Sequence, residues 1–173
     1  VFSHGRAGRF YRLSNKQKTH IVTARRKTPE EEISSTLTRG RVRNVISRDR
    51  NSKLKAGLGQ ISVSGNSLFY KVNIENSSNI TYDLDFVRFY VRDLKTTKRT
   101  VTQELEIYPV YASGASQTAI PAKEVRSYVF AFNKFPLSKN QALFMEIYEK
   151  NGARHLYLKV KPKENEKAKL LKQ

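Results

Sequence analysis

The sequence contains no cysteine and no tryptophan. Without cysteine a disulfide scaffold, a thiolate nucleophile and a Cys-ligated metal are all excluded. A cysteine-free chain suits cytosol and periplasm equally, so the absence assigns no compartment. The lack of tryptophan weakens a carbohydrate-binding reading, although nine tyrosines keep it open. Long apolar runs are missing too. The longest covers residues 128–132, far short of the roughly 20 residues of a membrane helix. No signal-peptide pattern is present, and the chain opens on Val1, as a processed or excised chain would. Histidine occurs only at His4, His20 and His155, far apart in sequence. A general base needs a nucleophile and an orienting partner within reach, and none is spaced to supply them. Gly-x-Ser-x-Gly, P-loop and His-Glu-x-x-His patterns do not occur. The acid pairs Asp83/Asp85 and Glu104/Glu106 are two apart, which the alternating polarity of a strand explains without acid–base chemistry or calcium. The expectation is a protein without catalytic, cofactor or metal sites.

Acidic residues are scarce as well. Fifteen Asp and Glu face 33 Lys and Arg, a net charge of +18. Residues 1–60 carry 15 basic and 4 acidic side chains, and residues 61–160 carry 13 and 9. The second stretch also holds 30 of the 40 Val, Ile, Phe and Tyr. About a hundred residues can therefore bury a core, and the remainder is basic and poorly hydrophobic. Such a charge attracts phosphate through counterion release. It attracts lipid headgroups or an acidic protein equally well, and no helix-turn-helix, zinc-finger or RNP signature selects among them. Nucleic acid is the less favoured partner.

The strongest local signal is residues 142–160, ALFMEIYEKNGARHLYLKV. Two apolar runs flank Asn151-Gly152, a dipeptide suited to a type I′ hairpin turn. Leu143, Met145 and Ile147 share one face of the first arm, and Leu156, Leu158 and Val160 one face of the second. Each arm thus needs a second layer to cover it.

Upstream, residues 1–27 show no sustained periodicity and read as a basic extension, either disordered or, around Phe10, Tyr11 and Leu13, an edge strand or docking arm. Thr28-Pro29-Glu30-Glu31 starts a helix, with Thr28 and Glu31 in a capping box and Pro29 in the first turn. The helix reaches about Arg39, and Val42, Val45 and Ile46 could prolong it. Residues 51–59 read as a linker, making 28–57 a helix-and-linker unit and 58–161 the sheet domain. Strands are expected at 60–64, 67–75, 82–92, 101–109, 118–121 and 124–132, with residues 111–117 as loop. A phase switch in 82–92 places a bulge near Phe86-Val87. Leu105 and Ile107 fall on the buried phase. Residues 162–173 read as a basic tail, frayed or weakly helical. About seven or eight antiparallel strands without intervening helices argue a mainly β, immunoglobulin-like sandwich carrying an N-terminal helix.

Three stretches carry a family likeness: YKVNIENSSNITYDLDFVRFYVRD from Tyr70, KRTVTQE from Lys98, and EKNGARHL from Glu149. In that order they resemble the TraN proteins of Bacteroides-type conjugative transposons, over residues 59–161. Ala153 stands where a second Gly is expected, and residues 1–27 show no match. The resemblance implies a non-enzymatic periplasmic subunit of the outer-membrane core complex of a type IV secretion-like conjugation apparatus. Its partners would be other core-complex proteins, with self-association in the assembly. The family is remotely similar to a β-sandwich subunit that associates with a small lipoprotein and a channel-forming protein. It brings no catalytic residues or cofactor. A basic nucleic-acid-binding accessory protein of the same element is the alternative. Lys98, Arg99, Gln103, Glu104, Glu149, Arg154 and His155 are expected to form a cross-strand polar network, either holding the fold or contacting a partner.

Overall fold

The computed structural model describes residues 11–12, 26–39, 42, 44–94 and 103–171. In chain order the elements are β1 (Tyr11–Arg12), α1 (Pro29–Arg39), β2 (Ser47–Asn51), β3 (Leu54–Leu58), β4 (Ser62–Ser64), β5 (Ser67–Asn76) and β6 (Tyr82–Asp93). There follow β7 (Glu104–Glu106), β8 (Tyr111–Ser113), β9 (Ala119–Ile120), β10 (Val125–Asn133), β11 (Gln141–Glu149), β12 (Leu156–Val160), α2 (Pro162–Glu166) and β13 (Lys169–Leu170). Of the strands not expected, β2 and β3 fall in or beside the stretch read as linker, β8 in one read as loop and β13 in the tail.

Two sheets face each other. In the first, β6 pairs with β11, and β11 with β12. The other edge of β6 carries three short strands, β9, β1 and β7. In the second, β5 pairs with β10 on one side and with β3 and β4 on the other; β2 extends β3, β13 extends β4 and β8 extends β10. All these pairings are antiparallel except β13 with β4. Leu143, Met145, Ile147, Leu156, Leu158 and Val160 point inward as their alternation requires. They meet Tyr70, Val72, Ile74, Phe130 and Phe132 of the opposite sheet. Phe89 lies edge-on to Phe130 and Phe132, each with centroids 4.9 Å away, a geometry that adds roughly 1 kcal/mol per pair beyond area burial.

Opposite Tyr148 and Glu149, β6 presents Phe86 and then Leu84, leaving Asp85 as the extra residue of a bulge. The bulge brings Leu84 and Val87 to the same core although they are three apart. It falls beside the expected place.

The capping box forms: Thr28 N–H donates to Glu31 Oε2 and Glu31 N–H to Thr28 Oγ1, each at 3.3 Å. Helix α1 lies across the outer face of the second sheet, where Ile33 and Leu37 pack on Phe69, Val129 and Ala131. Lys71, buried beneath it, donates from Nζ to the carbonyls of Leu37 at 2.6 Å and Thr38 at 3.3 Å. The ammonium thus sits at the negative end of the helix dipole, while desolvation lowers its pKa.

Several expectations are overturned. Residues 51–59 are not a linker but contain most of a β2–β3 hairpin, so the sheet begins at Ser47. The helix ends at Arg39, and Ile46 N–H already bonds Leu58 O. Residues 111–113 form a strand, because β10 accepts a partner there. Of the strand expected at 101–109, the described residues 103–109 show only β7, with Leu105 68% exposed. The tail holds the short helix α2, in line with the weakly helical alternative, and up to residue 171 it is docked rather than frayed. Tyr70 OH donates to Asn165 Oδ1 at 2.8 Å, and Lys169 N–H bonds Ile61 O at 2.8 Å.

Strand β2 has a second task. Its alternate side chains pair with the free edge of β12: Lys159 N–H donates to Ser47 Oγ at 2.9 Å and Tyr157 N–H to Asp49 Oδ2 at 2.7 Å. Asn51 Nδ2 donates to His155 O at 2.9 Å. The sandwich is thereby closed along one flank by side chains rather than by a ladder. Replacing Asp49 and Asn51 together by Ala should cost about 2 kcal/mol, about 1 for each net hydrogen bond. Urea unfolding measures the loss, and dynamic light scattering should show concentration-dependent association through the bared β12 edge.

Candidate functional site

Of the residues singled out from sequence, Glu149, Arg154 and His155 form one cluster and Glu104 belongs to another. Lys98 and Arg99 lie outside the described residues. Glu104 faces Arg92 and Glu149 faces Leu84, eight positions apart on β6, or about 26 Å along a strand. They belong to two clusters, around Arg154 and around Arg88, that touch through Tyr148, whose ring lies against His155 and whose hydroxyl bonds Glu146.

At one end the β11–β12 connection is a broad loop, not the expected type I′ turn. The ladder stops at Ile147–Leu156, and Asn151 takes a positive φ of 53° while Gly152 does not. The loop folds around Glu149. Arg154 donates to Glu149 from its backbone N–H at 3.1 Å and from Nε at 2.9 Å, and Nη2 makes a further, closer contact. Arg154 reaches on from Nη2 to Thr81 O at 2.9 Å and from Nη1 to Ser78 Oγ at 3.3 Å. A Cβ on residue 152 would overlap the Glu149 carboxylate, so a larger residue there would displace that side chain from its place against Arg154.

Behind Ser78 stands Asn76, fully buried. Its Nδ2 donates to Ile80 O at 2.8 Å and Ile120 O at 3.0 Å, and its Oδ1 accepts from Ser78 Oγ at 2.6 Å. The stretches around Asn76 and Arg154 thus meet in one polar clasp that closes the end of the sandwich. His155 Nδ1 accepts from Glu149 N–H at 3.4 Å, and its ring lies 4.7 Å from Tyr148. Burial works to raise the Glu149 carboxyl pKa, but the bonds from Arg154 outweigh it and hold it below the usual range. The same bonds raise the Arg154 guanidinium.

At the other end Arg88 is the hub. It donates from Nε to Glu106 Oε1 and from Nη2 to Glu104 Oε2, both at 2.8 Å, and its Nη1 lies 3.5 Å from Glu146 Oε2. One guanidinium therefore ties β6 to both its neighbours, β7 and β11. Burial would lower the Arg88 pKa, but these carboxylates more than offset it and raise it. Glu106 is lowered by its bonds from Arg88 and Tyr108. Glu146 accepts from Tyr90 OH at 2.7 Å and Tyr148 OH at 2.8 Å. Burial pushes the Tyr148 phenol up to about 12, and the bond to Glu146 adds to this.

The outer face of β6, β11 and β12 is a cation–aromatic ladder. Arg88 lies 4.4 Å over Tyr90, Tyr90 stacks on Phe144 at 5.4 Å, and Arg92 lies 4.4 Å over Phe144. Lys159 Nζ is 5.5 Å from the same ring, and Phe86 stacks on Tyr148 at 4.5 Å. Sequence reasoning missed Arg88, Tyr90, Arg92, Phe144 and Glu146. The signal was present: positions 88, 90 and 92 alternate against apolar 87, 89 and 91. Gln103 lines a shallow groove with Glu104, Leu105, Ile107, Phe135 and Pro136. Among the described residues no cluster of His, Asp and Glu could hold a metal ion. Among them, too, no helix is long and apolar enough to cross a membrane.

The Glu149–Arg154 pair is the more enclosed, with side chains 9% and 18% exposed respectively. Glu149→Gln should therefore cost about 2–3 kcal/mol at neutral pH, below the range for a fully buried pair because Arg154 is partly solvated. Its folded pKa is depressed, so the stability it contributes is present above the ordinary carboxylate pKa and is lost as pH falls through the folded value. The unfolding midpoints of the variant and the parent chain should converge in acid.

Comparison with curated proteins and with solved structures returns no match. A family model described as a domain of unknown function, DUF4138, matches residues 29–170. The match starts at α1 and ends in β13, so the helix and tail belong with the sheets. The chain is a member of the DUF4138 family.

Proposed function

We propose that this protein is a non-enzymatic structural subunit of a conjugative transfer apparatus of the TraN type. It works in the periplasm beside the outer membrane and is held there by other core-complex proteins. The observation that carries the docking part is the outer face of β6, β11 and β12. Tyr, Phe and Arg are the side chains enriched at protein–protein contacts and their hot spots. Here Phe144, Tyr148, Arg88 and Arg92 are only partly buried and are already fixed in place by stacking and ion pairs, with the buried Tyr90 beneath them as support. A pre-ordered face loses little side-chain entropy on binding. The likeness to TraN proteins in the three sequence stretches supplies the biological setting.

The face is also electrically balanced. Arg88, Arg92 and Lys159 stand against Glu104, Glu106 and Glu146. A surface with as many carboxylates as cations does not draw a phosphate backbone, although its rings resemble those of a stacking platform. The runner-up, nucleic-acid binding, rests on the net charge of +18, much of which lies in residues 1–60.

Replacing Arg92 and the half-exposed Tyr157 by Ala in the full chain should leave the unfolding midpoint within about 1 kcal/mol of the parent. It should also lower co-purification with the other conjugation components, and the transfer frequency, at least tenfold. Unchanged recovery from mating cells would remove this face as the docking site. A mobility shift that weakens steeply with salt would move the balance to the runner-up.

A further inference from the structure

The two flanks of the first sheet differ. The β12 edge is occupied by side chains of β2. The β6 edge is covered in pieces. β9 pairs with positions 82 and 83, and Leu84 N–H continues to Thr118 O at 2.7 Å. β7 pairs with positions 90–92, and Ile107 N–H continues to Phe89 O at 3.0 Å. Between them lies a slot at residues 85–88, beside the bulge at Asp85. It is filled by β1, with Tyr11 opposite Val87 and Arg12 opposite Phe86.

We propose that this slot is a strand acceptor, and that in the assembled state its occupant is the β1 segment of a second copy of this chain. The inference rests on the structural-subunit reading and adds to it how the copies join. Charge complementarity is the first argument. Beside the slot stand the carboxylates of Asp83 and Asp85, whereas Glu104, Glu106 and Glu146 are answered by Arg88 and Arg92, and Glu149 by Arg154. The slot is thus locally acidic in a chain whose net charge is +18. Residues 1–27 carry eight Lys and Arg and no acid. The segment that enters the slot is therefore drawn to it by charge.

The second argument is the size of the contact. β1 pairs through two residues, and residues 13–28 join it to α1, which lies on the far face of the other sheet. A two-residue pairing is held within one chain chiefly by the effective concentration that its tether supplies. An identical segment of a neighbour makes the same bonds, so exchange costs little once copies are crowded together. Because slot and donor are different surfaces, exchange links copies head to tail, and the links close into a ring or extend as a filament.

The absence of cysteine makes the test direct. Full-length Arg12→Cys chain is mixed with tagged Phe86→Cys chain and oxidised with copper phenanthroline. The double variant reports the contact within one copy. A Tyr157→Cys chain, on the opposite flank, replaces Phe86→Cys as the collision control. The expected result is a disulfide-linked pair with one copy of each variant. Its yield should exceed the control several-fold, rise with protein concentration and fall several-fold at high salt, where the charge attraction is screened. Internal cross-linking of the double variant with no mixed pair above the control would overturn the proposal. So would the absence of cross-links in both samples. The measurement uses the purified chain alone, so its failure is distinct from a failure to co-purify with other components.

Discussion

The sandwich depends on a strand that serves both sheets. β2 pairs by its backbone with β3 and by Ser47, Asp49 and Asn51 with the edge of β12. An unpaired strand edge invites association with other chains. Filling it with alternate side chains satisfies its donors and leaves no ladder to extend. The opposite flank is managed differently, by three short strands laid end to end along β6. One flank is thus shut by side chains, and the other is covered by separate short strands.

Charge follows the same division. The excess of Lys and Arg is greatest in the N-terminal third, whereas carboxylates gather on β6, β7 and β11. On the outer face they are used locally. Arg88 holds three of them, and Tyr90 and Tyr148 donate to Glu146. A face so organised is rigid before any partner arrives. At the far end the Glu149–Arg154 pair does another job: with Asn76 and Ser78 it seals the end of the core. Breaking an enclosed pair is costly because it strands a charge, whatever the pair itself contributes. The clasp accordingly holds the end of the sandwich together.

Where the chain repeats one rule over many residues, that rule was readable. Alternation in residues 142–160 oriented both arms of the β11–β12 hairpin correctly, because a period of two admits only two faces and one of them is apolar. The capping box at Thr28 and Glu31 is local chemistry and formed as its spacing demands. The phase switch in β6 announced a bulge to within a residue or two, since Leu84 and Val87 cannot both face inward otherwise.

Where the outcome depends on a distant partner, the residues could not speak for themselves. Asn51 and Gly59 read as linker boundaries, yet this stretch is sheet because β5 offers an edge at Val72–Asn76 and the β12 edge needs polar side chains. Asn151-Gly152 favours a tight turn, but Glu149 and Arg154 claim the loop first. The sequence by itself determined the class of fold, the inward faces, the helix start and the basic excess, all of which follow from local period and composition. Only the tertiary structure decided which polar residues meet, which flank is closed and which carboxylates share one guanidinium. Those depend on register between segments far apart in the chain, and no local pattern encodes a register.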